Sequence, residues 1–133
     1  MRDILPTIFT DISTAVHASY STAYVTGERI ATPSQFPCVT VVQADNYEDR
    51  YSMDNSLTEQ LTVLMYEITV FSNSTGGKRS QCIDIMMLID DVMKHKNGTR
   101  ISCVEGYFDS QSKIYMVQAR YRFATDGTHY YTY

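Results

Sequence analysis

Tryptophan is absent from the 133 residues, proline occurs three times, glycine six times, and Lys and Arg together number 11 against 15 Asp and Glu. With no low-complexity run, 44% hydrophobic and 20% charged residues, the chain is not expected to be disordered throughout. A formal charge of −4 with no basic run argues against broad electrostatic binding to nucleic acid, which needs clustered cations to meet phosphates. The N-terminal MRDILPTIFTDISTAV carries Asp3 and Asp11 inside its apolar pattern, so neither a signal peptide nor a membrane span is predicted and the expectation is a soluble chain. Only three cysteines occur, Cys38, Cys82 and Cys103. They are odd in number, far apart and in apolar contexts, which predicts reduced core thiols folded inside a cell.

Tyrosine, by contrast, occurs 11 times. A flat apolar ring with a polar tip suits both half-buried strand positions and protein interfaces. The length suits one domain, large enough to bury about two thirds of its unfolded surface.

Asp3 can cap a first helix that tolerates Pro6 in its first turn, with Ile4, Ile8, Ile12 and Val16 recurring every fourth residue until about Ser19 to Ser21. AYVTGERI reads as a short extended piece, and Pro33 and Pro37 bar helix from TPSQFP. CVTVVQA, residues 38–44, is apolar on both faces and predicts a central strand. In LTVLMYEITVFS, Leu64, Tyr66, Ile68 and Val70 share one face while Glu67 and Thr69 take the other. SQCIDIMMLIDDVMKHKNG predicts a second helix buried through Cys82, Ile85, Met86, Ile89, Val92 and Met93 and stopped by Asn97-Gly98. RISCVEGYF and KIYMVQARYRF form a hairpin in which Tyr115, Val117, Ala119, Tyr121 and Phe123 oppose Met116, Gln118, Arg120 and Arg122. The expected fold is α+β: a mainly antiparallel four-stranded sheet with two helices on one face, occupying residues 1–125, followed by a tail at 126–133.

Residues 45–60 set five carboxylates, including Asp45, Glu48 and Asp49, against Arg50 alone. A loop of that length and charge is predicted to be solvated or to act as an arm that reaches a partner. The tail ends in Tyr130, Tyr131 and Tyr133 and has no evident core role, which suggests docking on a neighbour.

For chemistry the candidates are sparse. FSNSTGGKRS resembles a phosphate loop, but no glycine opens it and Lys78 is followed by Arg79 where a metal-binding hydroxyl belongs. It reads as a strand-to-helix turn in which Gly76 and Gly77 supply positive φ and Lys78 and Arg79 are solvated. His95 is expected to end the second helix with Asp91 as its ion-pair partner, His17 to end the first, and His129 to lie in the tail. Asp84, Asp90 and Asp91 read as a solvated flank, and no short Cys/His spacing suits zinc. No catalytic constellation, cofactor or metal is predicted.

An N-terminal amphipathic helix, QFPCVTVVQADN, an acidic extended segment, YEITVFSNSTGGKRSQCIDIMMLIDDVM and KIYMVQARYRF together resemble the tail terminator, or tail completion, proteins of long-tailed bacteriophages, over most of residues 1–125. The resemblance implies a small structural subunit without an active site. It would form a hexameric ring at the head-proximal end of the tail, assemble in host cytoplasm, end polymerisation of the tail tube and meet the head connector. DNA would pass through the ring without specific binding. In that setting the acidic arm (Asp45, Glu48, Asp49) can meet Arg100, Arg120 or Arg122 of a neighbour, with Tyr130, Tyr131 and Tyr133 as further contacts. Two other classes stay open: a ligand-binding α+β domain, and a cellular adaptor that binds one partner without a ring.

Overall fold

The computed structural model describes residues 2–30, 33–49, 61–107 and 113–133. The elements are α1 (Leu5–Ser19), β1 (Tyr24–Thr26), β2 (Cys38–Glu48), β3 (Thr62–Ser72), α2 (Lys78–Lys94), β4 (Thr99–Tyr107), β5 (Tyr115–Thr125) and β6 (Tyr130–Tyr131). The α+β class and the two helices match the expectation. The sheet does not: it has six strands in the order β1-β2-β3-β5-β4 with β6 on β5, and it is mixed because β1 runs parallel to β2. The two added strands are three and two residues long. Alternation cannot be read over so short a run, and only pairing with a neighbour defines them.

α1 begins where the Asp3 carboxylate accepts the Leu5 N–H at 3.1 Å, with Pro6 inside the first turn. Ile8, Ile12 and Val16 form its fully buried stripe. α2 starts two residues earlier than expected, after Gly77 at φ 146°, a conformation open to glycine. Only Gly77 of the glycine pair has positive φ, so Lys78 and Arg79 are helical rather than part of the turn. Its far end closes as a Schellman motif: the Gly98 N–H reaches the Met93 carbonyl at 2.8 Å and the Asn97 N–H reaches Lys94 at 3.0 Å. Here Asn97, not Gly98, holds the left-handed turn at φ 57°.

Both helices pack on the sheet face built from Val39, Val41, Leu64, Tyr66, Ile68, Val70, Val117, Ala119, Tyr121 and Phe123. That face is the one expected from alternation in β3 and β5. In α2 the stripe is as predicted except that Val92 is half-buried. β3, flanked by β2 and β5, is buried on its other face too, through Val63, Glu67, Thr69 and Phe71. Burial of Cys38 and Cys82 raises their thiols to about 11 and about 12, so both stay protonated and inert. Cys103 departs from the expectation: it lies exposed on β4, whose outer side carries no strand among the described residues.

Two segments expected to be loops differ. Asp45 to Glu48 belong to β2, paired with Met65 to Thr62 after a bulge at Ala44, so the acidic stretch opens as strand. Asp49 follows the strand, with its N–H on the Leu61 carbonyl at 3.0 Å, and residues 50–60 lie outside the described residues. The C-terminal tail is not a free arm: β6 pairs with Ala124 and Thr125, and the Tyr130 ring packs edge-on against Phe123 at 5.7 Å. No described helix is long and apolar enough to cross a membrane.

Candidate interface site

Charge is divided across the sheet by its register. Asp45, Met65, Arg122 and Thr99 stand in one cross-strand row, and Val42, Glu67, Arg120 and Ser102 in another. Exposed acidic side chains thus stand at the C-terminal end of β2 and two arginines on β5, while β4 carries one charge of each sign, Arg100 and Glu105. Asp45 and Glu48 are exposed and form no ion pair among the described residues.

The arginines expected to await a neighbour are partly engaged at home. Arg120 donates through Nε and Nη2 to Glu67 Oε2 at 3.1 and 2.8 Å, and Arg29 reaches Glu67 Oε1 at 2.8 Å. Gln118 adds a bond at 3.2 Å. Glu67 is 5% exposed, so a carboxylate there must be paired to remain charged. Burial acts to raise its pKa, but hydrogen bonds from Arg120 and Arg29 outweigh that and hold it below the usual value.

On the helix side, Asp90 is buried, which corrects its reading as part of a solvated flank. Its Oδ1 accepts from Arg100 at 2.9 Å and from the Tyr121 hydroxyl at 2.8 Å, and its Oδ2 pairs with Lys94 at 2.9 Å. Desolvation again opposes ionisation, yet bonds from Lys94 and Tyr121 and the Arg100 charge keep this carboxyl low. Both carboxylates thus receive two cations each. Each cluster retains one net positive charge, and Arg100 and Arg120 remain about half exposed at 51% and 46%.

Sequence reasoning missed both carboxylates as anchors and passed over Arg29. One signal was available for Glu67: a lone carboxylate within an otherwise uncharged strand needs a cation across the ladder, and Arg120 lies on the neighbouring strand. Arg29 carried no such signal, because it reaches Glu67 from an irregular segment.

Arg122 packs over the Tyr133 ring at 5.5 Å and donates to the Tyr133 carbonyl at 3.4 Å, while Tyr133 meets Tyr47 at 6.4 Å and lies 3.5 Å from Asp49. Tyr130 is covered by Lys96 at 4.7 Å and its carbonyl accepts from Asn97 at 2.7 Å. Tyr131 donates to Asp126 at 3.2 Å. The structure therefore brings Arg122, Tyr133 and Asp49 together within one chain, and does not bring Asp45 or Glu48 to Arg100 or Arg120.

The histidines are held locally. The His17 Nε2–H donates to the Ala23 carbonyl at 2.8 Å and Nδ1 faces Ser13 at 3.1 Å. His95 donates from Nδ1 to the backbone carbonyl of Asp91 at 2.7 Å, not to its carboxylate as expected. His129 lies 3.6 Å from Asp126, whose pKa falls to about 2 because the His129 and Thr128 backbone N–H groups donate to it. Among the described residues no three His, Cys, Asp or Glu gather as metal ligands.

Two recesses flank α1. One of about 460 Å³ lies between Leu5, Pro6, Phe9 and Gly27, and another of about 370 Å³ separates the helices at Ala15, Leu88 and Val92. At the start of α2 a basic recess includes Lys78 and Arg79, but Arg79 already pairs with Glu105 at 2.9 Å.

No family model matches the chain, and no curated protein matches it either.

Proposed function

We propose that this chain is a ring-forming structural subunit of the tail terminator kind, a hexamer that closes the tube of a long-tailed bacteriophage and joins it to the head connector. The observation that carries the reading is the charge division across the sheet. Exposed Asp45 and Glu48 stand at the end of β2, and the half-exposed guanidinium groups of Arg120 and Arg100 stand on β5 and β4. A head-to-tail contact sets the acidic side of one subunit against the basic side of the next. Repetition closes a ring when the rotation allows it. The assignment to a phage tail rests on the segments QFPCVTVVQADN, YEITVFSNSTGGKRS and KIYMVQARYRF, and the pairing of Arg100 and Arg120 inside the chain is compatible with it because each is left half exposed.

Native mass by light scattering at low and high concentration, with negative-stain electron microscopy on the same samples, tests this. A sixfold ring that dissociates when Asp45 and Glu48 are changed to Lys is expected. A protein that forms no ring at any concentration, or a ring indifferent to those charges, overturns it.

A further inference from the structure

Among the described residues, β4 is the long free edge of the sheet. Its inner side is paired with β5 from Thr99 to Tyr107, and its nine residues include neither proline nor lysine, so that one bulge, at Ile101, is the guard this edge carries besides its two charges. Its two charges are answered within the chain, Arg100 by Asp90 and Glu105 by Arg79. Ile101, Val104 and Tyr107 stand exposed along it. The opposite edge, β1, has three residues and cannot receive so long a strand.

We propose that β4 pairs antiparallel with β4 of a second copy, about a two-fold axis at Cys103. The register follows from which residues share a face, since directly opposed residues must lie on the same side of a sheet. Cys103 and Glu105 stand opposite Ala119 and Val117, on the helix side, whereas Ser102, Val104 and Gly106 stand opposite Arg120, Gln118 and Met116 on the other. A bulge at Ile101 returns Arg100, opposite Tyr121, to the helix side. With Cys103 on the axis, Ser102 faces Val104 of the second copy, Arg100 faces Glu105, and Thr99 faces Gly106, each pair on one side. Shifting the axis to Ser102 sets Arg100 against Cys103, and shifting it to Val104 sets Arg100 against Tyr107. An axis between residues opposes side chains from different faces. Cys103 is thus the position at which the charges meet, and Arg79, Glu105, Arg100 and Asp90 then alternate in sign across the contact, twice by symmetry.

A two-fold contact closes on itself and yields a dimer, not a ring. It stands apart from the head-to-tail reading, and because both draw on Arg100, a subunit held in the dimer is withheld from that contact. Opposed Cα atoms in an antiparallel pair lie about 4.5 or 5.5 Å apart, within the range a disulfide spans. The two Cys103 thiols can therefore report the register.

Purified protein is oxidised in air with copper phenanthroline, so that two thiols lose two protons and two electrons to oxygen, and is analysed on non-reducing gels beside light scattering. A covalent dimer is expected from the native chain and none from Cys103→Ser. Val104→Lys places an ammonium on the edge, and Glu105→Arg opposes like charges; each weakens the dimer about tenfold or more with little change in melting temperature. Mixing Glu105→Arg with Arg100→Glu rebuilds both charge pairs and restores dimer. Should Arg100→Glu fail to fold, Val104→Lys still decides the matter. A monomer at every concentration overturns the proposal, as does a dimer without the Cys103 bond or one indifferent to Val104→Lys. A hexamer lacking that bond overturns the edge dimer and leaves the ring reading standing; a Cys103-linked dimer that never forms rings does the reverse.

Discussion

The hydroxyl of Tyr121 on β5 donates to Asp90 on α2 at 2.8 Å, both groups being buried, so one hydrogen bond pins the second helix to the sheet. Tyr121→Phe removes the donor but leaves Asp90 bound by Arg100 and Lys94, and is expected to cost about 1–3 kcal/mol. Asp90→Ala strands the same hydroxyl and also removes the pairs with the exposed Lys94 and Arg100, and should cost more, by up to about 1 kcal/mol for each pair. Urea denaturation of the two variants checks the order. A milder effect from Asp90→Ala than from Tyr121→Phe would remove this anchoring role.

Stability should fall in acid because of these same carboxylates. Glu67 and Asp90 have folded-state pKa values below their unfolded ones, so the folded chain binds fewer protons and the contribution is present above the unfolded values. It is lost as pH drops through the folded values, beginning below about pH 5. Urea midpoints measured from pH 6 to pH 3 should decline in the native chain and decline less steeply in Glu67→Gln and Asp90→Asn.

Gly98 is required by space, not by left-handed backbone. A Cβ there would sit 2.9 Å from the Met93 carbonyl oxygen, the acceptor that closes α2. Gly98→Ala should lower stability by more than about 1 kcal/mol, since the incompatible backbone position outweighs the entropy that alanine saves. Asn97→Gly relieves φ 57° but loses the bond to Tyr130, so its melting temperature should move less.

Truncation after Thr125 should destabilise the chain even though the removed residues look like a tail. It strips Tyr130 from Phe123, leaves Asn97 without its acceptor and uncovers the end of β5. A loss of about 1–3 kcal/mol is expected from one aromatic contact and a few hydrogen bonds. An unchanged denaturation midpoint would mean the β6 pairing adds nothing in solution.

The repeating isoleucines of α1, the alternation of β3 and β5 and the Asn97-Gly98 stop were legible because each is a periodic or local signal. Asp90 was not, since it lies in Ile-Asp-Asp beside Asp91, and nothing local distinguishes the carboxylate that meets Tyr121 from the one that meets water. Cys103 was misjudged for a related reason. Its neighbours Ile101 and Val104 are as apolar as those of a central strand, yet whether β4 has one partner or two is a property of the sheet.

Two helices, four long strands and the inward faces of α1, α2, β3 and β5 could be read from the sequence, because side-chain periodicity and backbone geometry act within a few residues. Tertiary packing set the parallel docking of β1, the return of the tail onto β5, the cations that each buried carboxylate binds, and which of the described strands stands at the edge. Backbone ladder bonds are chemically alike for every strand. The choice among partners is therefore made by packing between residues distant in sequence, and Glu67 found Arg29 and Arg120 only once the sheet had set them side by side.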